Sequence, residues 1–381
     1  MAEAIDSGPL TLTWSGRGVD PARIEAELVR LRYGAAGYSG AAEGAAIRTS
    51  LLNLVVYAAN EAVADEASET LARLTGHHPS RALIIIADSS QTESRIDTRL
   101  AAHCHLSSGL EQQVCCEEVV LSVHGNAAEH LHSVIIPLLV PDLPVYVWWT
   151  GPLPRGRHIF EELIETSDRF IIDSARFRHP THGLSRVANL CRETPDCAIG
   201  DLNWARLRVW RELLAQRSAA QSGFSKAIDH VEIGYTPRAD DDFLPAQAFL
   251  LLGWMAGHFA WTTDRLDRTA GGEITLSGRD RSIAVRFQAT GHPSAEASSL
   301  TNVRLQAGGA SLTIRLSDDG RHLLLTEQGL ERSTQQTIAI EPPGQGELLA
   351  AQLDDLPGED TGYDATLLAA TPVLEALDVA H

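Results

Sequence analysis

Two segments of this chain leave little freedom about its architecture. Residues 51–58 read Leu-Leu-Asn-Leu-Val-Val-Tyr-Ala, and residues 82–87 read Ala-Leu-Ile-Ile-Ile-Ala. A strand with one wet face alternates apolar and polar side chains; a near-continuous apolar run needs cover on both faces, which parallel sheets provide. Between the two runs, residues 65–74 carry a helical pattern ended by Gly76, long enough for the crossover that parallel neighbours require. Strand-like runs at 145–149 and 170–172 then alternate with helical pieces at 159–165 and 184–192. Upstream, residues 10–14 alternate as a short strand. Asp20-Pro21 follow as an N-cap and first-turn proline, ahead of the stripe Ile24, Leu28 and Leu31. Residues 100–106 and 116–123 read as more exposed strands, and 127–139 as a helix. The expectation is an α/β N-terminal domain with a largely parallel covered sheet.

A chain of 381 residues is long for one core, which makes two domains the prior. The polar, small-residue stretch QRSAAQSGFS (216–225) carries no period and reads as a boundary. The expected division is 1–218, a linker at 219–225, and 226–381. Beyond it the pattern changes: a strand at 230–235, an apolar helix at 245–261, then short alternating strands around Ile283, Leu312 and Leu323. Gly308-Gly309 and Asp319-Gly320 read as hairpin turns. With helices near 347–353 and 365–377, this predicts an α+β C-terminal domain with an antiparallel meander.

Charge narrows the function classes. Lys+Arg number 31 against 50 Asp+Glu, a net charge of −19, which excludes nucleic acid and anionic membranes as main partners. The longest apolar stretch, 249–261, is shorter than the ~20 residues of a membrane span. No leader pattern is read at the N-terminus, and five cysteines fit reduced thiols, so a cytoplasmic location is expected. Lys226 is the only lysine, which nearly removes lysine-dependent chemistry.

Catalytic motifs are missing or incomplete. Gly16-Arg17-Gly18 lies between a strand and a helix, but the third glycine of a dinucleotide fingerprint is replaced by Pro21. Neither a phosphate-loop nor a nucleophile-elbow pattern is present. No cofactor and no metal are expected. A zinc ion, if bound, would take His103 and His105, though their spacing matches no metal motif. His78, Ser80 and Arg81 precede the second apolar strand and form a candidate anion site, against an ordinary helix-to-strand turn. Cys191 and Cys197 are spaced for a short disulfide loop or redox pair, or are unrelated thiols.

The densest segment is DLNWARLRVWRELL (201–214). It reads as one helix capped by Asp201, with Trp204, Leu207, Trp210 and Leu214 on one face. Because Trp and Arg dominate interface hot spots, Trp148, Trp149, Asp201, Asn203, Trp204, Arg206, Arg208, Trp210 and Arg211 are candidate partner-binding residues; the competing reading places the tryptophans in the core.

Six motifs in order, Arg48-Thr49-Ser50-Leu51-Leu52-Asn53-Leu54-Val55, His78-Pro79-Ser80-Arg81, Val114-Cys115-Cys116-Glu117, Pro141-Asp142-Leu143-Pro144-Val145, Trp148-Trp149 and the segment from Asp201 to Glu212, resemble the OpcA family of glucose-6-phosphate dehydrogenase assembly proteins. The resemblance implies a non-catalytic protein. Such a protein binds glucose-6-phosphate dehydrogenase and promotes its assembly into an active oligomer, as an allosteric activator supporting NADPH supply through the oxidative pentose phosphate pathway. In the cyanobacterial branch it also implies thioredoxin as a partner, with Cys115, Cys116, Cys191 and Cys197 as candidate redox residues. Two rival readings are a sugar-phosphate enzyme of lactonase or isomerase type, centred on His78 and Arg81, and a metal- or redox-responsive sensor.

Overall fold

The computed structural model describes residues 10–38, 46–48, 50–106, 113–153, 158–220, 223–239, 243–268, 273–278, 281–290, 299–329, 333–355 and 362–378. The chain divides into two units: 1–172 with 196–198, and 173–195 with 199–381. The expected boundary at 219–225 is therefore corrected. The stretch read as a linker is the end of one helix, which runs to Ala220, and the start of another at Phe224, both inside the second unit.

The first unit contains, in chain order, β1 (Leu10–Gly16), α1 (Pro21–Tyr38), β2 (Ala46–Arg48), β3 (Leu52–Ala58), α2 (Glu61–Leu74), β4 (Ser80–Asp88), β5 (Arg95–Leu106) and β6 (Gln113–His124). Then come α3 (Asn126–Glu129), α4 (Leu131–Ile135), β7 (Val145–Trp149), α5 (His158–Glu165) and β8 (Arg169–Ile172). The sheet runs β1-β5-β6-β4-β3-β7-β8 and ends on a strand that begins at Ala198, with β2 beside β6. β3, β4, β6, β7 and β8 pair in parallel, whereas β1 and β5 join antiparallel. The parallel strands, taken by chain order, run third, second, first, fourth, fifth, which is the doubly wound dinucleotide-type arrangement.

Both apolar runs behave as their composition dictates. Leu54, Val55 and Val56 on β3, and Leu83, Ile84 and Ile85 on β4, are fully buried. α2 covers them with Ala64, Ala67, Thr70 and Leu71, and starts where the Asn60 side chain accepts from Val63 N (3.0 Å). α1 is capped by Asp20, which accepts from Arg23 N at 2.9 Å, and buries Ile24 and Leu28.

The second unit holds α6 (Pro180–Glu193), β9 (Ala198–Asp201, whose first residue belongs to the first unit), α7 (Leu202–Arg206), α8 (Arg208–Ala220), α9 (Phe224–Ala227), β10 (Ile228–Tyr235), α10 (Ala246–His258), β11 (Thr262–Arg268), β12 (Ile274–Ser277) and β13 (Ser282–Ala289). It continues with β14 (Leu300–Ala307), β15 (Ala310–Leu316), β16 (His322–Gln328), β17 (Ser333–Ala339), α11 (Gln345–Asp354) and α12 (Tyr363–Asp378). Its sheet is mixed, in the order β11-β12-β13-β10-β14-β15-β16-β17. β14 through β17 are consecutive antiparallel neighbours, but β10 inserts parallel to β13. Gly308, Gly309 and Gly320 take left-handed φ values of 53°, 93° and 67° at the expected turns. One face of this sheet is buried by Val231, Ile233, Val285, Val303, Leu305, Leu312 and Ile314.

α10 is apolar almost all round because it is packed on several sides. It meets α12 at Gly253, where an added Cβ would lie 2.4 Å from the Thr366 carbonyl oxygen and 2.9 Å from Ala370 Cβ. Among the described residues, no helix is long and apolar enough to cross a membrane.

Candidate functional site

In a doubly wound sheet, ligands gather where strand order reverses, beyond the carboxyl ends of the first and fourth parallel strands. Here these are β3 and β7. The first strand-to-helix turn is Ala58-Ala59-Asn60, without glycine. Gly16-Arg17-Gly18 instead follows the antiparallel strand β1, away from this position in the topology. Tyr57 and Trp149 stack at the end of the strands, ring centroids 4.0 Å apart and 2° from parallel. Thr150 closes the turn, its backbone N–H and Oγ1 both donating to Tyr57 O (3.2 and 2.9 Å). Trp149 Nε1 donates to Pro152 O (3.1 Å), and its ring meets Phe160 edge-on at 5.4 Å.

Asp88 terminates β4, the second strand, where dinucleotide folds carry the acid that takes ribose hydroxyls. Its carboxylate instead accepts from Ser90 Oγ (2.5 Å), Ser90 N (3.0 Å) and Gln91 Nε2 (3.1 Å). Those hydrogen bonds hold it below the usual carboxylate range. The switch point thus keeps its strand geometry, while its first turn lacks glycine and Asp88 is engaged by Ser90 and Gln91.

The segment 201–214 is two helices, α7 and α8, broken at Leu207. The expected continuity fails at Leu207, whose N–H donates to Trp204 O at 3.2 Å in a tightened last turn, while Asp201 at the start of α7 organises a compact polar centre. Asp201 Oδ1 accepts from Asn203 N (2.9 Å) and Ser174 N (3.0 Å), and Oδ2 accepts from Tyr363 OH (2.9 Å). Burial, with Asp173 nearby, pushes its pKa up to about 6. Arg206 grips Asp173 with two parallel bonds, 2.6 and 3.0 Å. Arg211 lies 3.4 Å over the Trp204 ring and donates to Trp204 O at 3.2 Å; burial lowers its pKa to about 10, still charged at neutral pH.

The candidate partner residues therefore separate. Trp148, Trp149, Asp201, Asn203, Trp204 and Trp210 are buried, Arg206 and Arg211 half-buried, and Arg208 exposed. The buried ones are framework in the free protein, because a stripe that fills the core also satisfies helical periodicity. What α8 presents outward is Arg208, paired to Glu212 at 2.9 Å, and Val209, which is 39% exposed.

The anion reading of His78, Ser80 and Arg81 is corrected. Arg81 is 1% exposed and already neutralised. It donates to Glu117 through Nε (2.8 Å) and Nη2 (2.5 Å), to Leu138 O (2.8 Å), and to Glu25 on α1. Arg32 lies 2.9 Å from the other oxygen of Glu117. Ser80 is buried, and His78 has partners of its own. The carboxylates were not identified as Arg81's partners in the sequence; a buried arginine in an apolar strand was the signal that such partners exist.

Cys116, Cys191 and Cys197 are not in disulfides. Burial raises the pKa of Cys116 and of Cys197, which suppresses their thiolates. The side chains of Cys115 and His105 lie outside the described residues. His103 bonds Thr11 Oγ1 at 3.2 Å. Among the described residues, no group of three or more His, Cys, Asp or Glu side chains is placed to hold a metal ion.

Two family models match in tandem. One, described as the glucose-6-phosphate dehydrogenase subunit N-terminal domain, covers residues 71–189; the other, the corresponding C-terminal domain, covers 197–367. Among curated relatives, the OxPP cycle protein OpcA of Synechocystis is 31% identical over 192 residues, covering 50% of this chain and 39% of that one. Its namesake from Nostoc punctiforme is 29% identical over 187 residues, covering 48% and 38%. The matched region thus spans about two fifths of the relatives' length. A variant 3-ketoreductase from Actinomadura kijaniata, solved with TDP-benzene and NADP, superposes with a TM-score of 0.50 at 12% identity, covering 86% of this chain and 97% of its own. That is a likeness of fold alone.

Proposed function

We infer the role of this chain from one premise: it belongs to the OpcA family of glucose-6-phosphate dehydrogenase assembly proteins. The role associated with that family is with glucose-6-phosphate dehydrogenase. Our reading is that the chain is a non-catalytic partner that binds the dehydrogenase and promotes its assembly into an active oligomer. The observation that carries it is the tandem match to both domains of the family, across 71–189 and 197–367.

The switch point supports the non-catalytic part. In this fold of dinucleotide type Tyr57 and Trp149 stack on each other at the strand ends, and the turn that would cradle phosphate has no glycine. An activator without chemistry works by differential affinity: it must bind the assembled, active dehydrogenase better than the inactive form, since equal affinity shifts nothing. The outward face of α8, with Arg208 and Val209, is the contact we assign to this role, a cation and an apolar side chain on a surface that is otherwise acidic overall.

The test is an assay of the cognate dehydrogenase with increasing amounts of this chain. The reading requires a saturable gain in activity or apparent substrate affinity, and no dehydrogenase turnover by the chain alone. A flat titration contradicts it.

A further inference from the structure

A cleft of about 340 Å³ opens in the second unit between α8, α9, the end of α10 and the β12–β13 turn. Its lining includes Lys226, Arg281, His258, Phe259 and Trp261, with the Ser225 hydroxyl. The volume falls within the usual range for small-molecule sites. Its charge is unusual for this molecule. The chain carries 50 acidic residues and one lysine, yet the lysine and an arginine meet here and no carboxylate is among the described lining residues.

The two cations share one wall. Arg281 Nη1 donates to the carbonyl of Ala227 at 3.0 Å, which fixes the guanidinium next to the residue that follows Lys226. Only one of its five N–H donors is spent in that bond. Among the described residues, no hydrogen bond or ion pair engages the Lys226 ammonium, which is exposed. The same cleft is lined by aromatic rings: Phe259 and Trp261 pack 5.1 Å apart, and Phe259 meets the His258 ring at 4.9 Å. Burial lowers the His258 pKa, leaving a neutral ring that can donate or accept.

A helix C-terminus at this wall would repel an anion if its carbonyls were free. They are not. Trp261 N donates to Ala256 O (2.8 Å), Ala260 N to Gly257 O (3.3 Å) and Phe259 N to Met255 O (2.8 Å), a closed Schellman turn. Ala260 holds the left-handed φ of 55° that this turn requires, without being glycine.

Two cations and a cluster of aromatic rings lining one cleft suit a ligand with an anionic head and a flat or ring-shaped body. We propose that this cleft binds a phosphate monoester of a sugar or nucleoside, the phosphate held by Lys226 and Arg281 and the organic part against Trp261 and Phe259. Charge-assisted hydrogen bonds make a phosphate head the main source of affinity.

Isothermal titration of the full chain with ribose 5-phosphate and with AMP tests the proposal, with ribose, adenosine and inorganic phosphate as controls. Saturable binding of at least one ester is expected, tighter than that of its neutral parent. Lys226→Met, an exposed change, is expected to weaken it roughly tenfold, the size of one lost charge-assisted contact. Trp261→Ala is expected to weaken the ester more than inorganic phosphate. No ester binding at millimolar concentration, equal binding of the neutral parent, or an unchanged affinity in Lys226→Met would each overturn it.

Discussion

Ala260 shows how a single position stores strain. Its φ of 55° at the end of α10 belongs to the left-handed region, where a Cβ costs about 1 kcal/mol. Ala260→Gly is therefore expected to stabilise the protein by roughly 0.5–1 kcal/mol, read as a higher midpoint in urea unfolding with unchanged slope. Asp201 stores a different kind of cost. Its pKa rises from 3.8 to about 6 on burial, so the folded state holds this proton more tightly than the unfolded chain. The associated stability is complete below about pH 4 and is lost as pH rises through about 6. Asp201→Asn removes that slope, on the order of 2 kcal/mol. Denaturation curves from pH 4 to 7 should fall less steeply for the variant than for the parent; parallel curves would mean the carboxyl titrates normally.

Among the elements, α1 is attached to the sheet by charge as well as by Ile24 and Leu28. Arg81 on β4 joins Glu117 on β6 to Glu25 on α1, with Arg32 on the far side of Glu117. Removing one member strands a buried charge, so Arg81→Ala should cost about 3–5 kcal/mol, whereas Arg81→Met with Glu117→Leu should recover most of it. A double-mutant cycle in thermal or chemical unfolding measures this. Elements differ in how legible they were. The covered strands β3 and β4 followed from composition alone, because nothing but burial on both faces explains such runs. The break at Leu207, where the Leu207 N–H turns back to Trp204 O at 3.2 Å, did not, because an unbroken apolar stripe runs through it. Periodicity likewise could not tell core from partner surface for Trp204 and Trp210, as both demand one apolar stripe. The switch point itself carries no glycine signature, since the turn after β3 is Ala58-Ala59-Asn60 and the paired glycines Gly16 and Gly18 follow the antiparallel strand β1.

α8 offers the direct element-scale test of the interface. Arg208→Glu combined with Val209→Asp alters only exposed or partly exposed groups, and the Arg208–Glu212 pair it breaks is a surface one. Folding stability should change by less than about 1 kcal/mol, while affinity for the dehydrogenase should drop roughly tenfold or more. A binding isotherm identical to the parent's would move the interface elsewhere.

The whole molecule combines a doubly wound unit with a second unit that buries one face of a mixed sheet. Its −19 charge opposes indiscriminate self-association. The family membership supports the proposed association with a dehydrogenase. Sedimentation velocity of the cognate dehydrogenase, alone and with this chain in excess, addresses that claim most directly. A faster-sedimenting species containing both proteins is predicted, with the dehydrogenase shifted to its larger, active oligomer. Two independent boundaries, each unchanged from the isolated protein, would contradict the account.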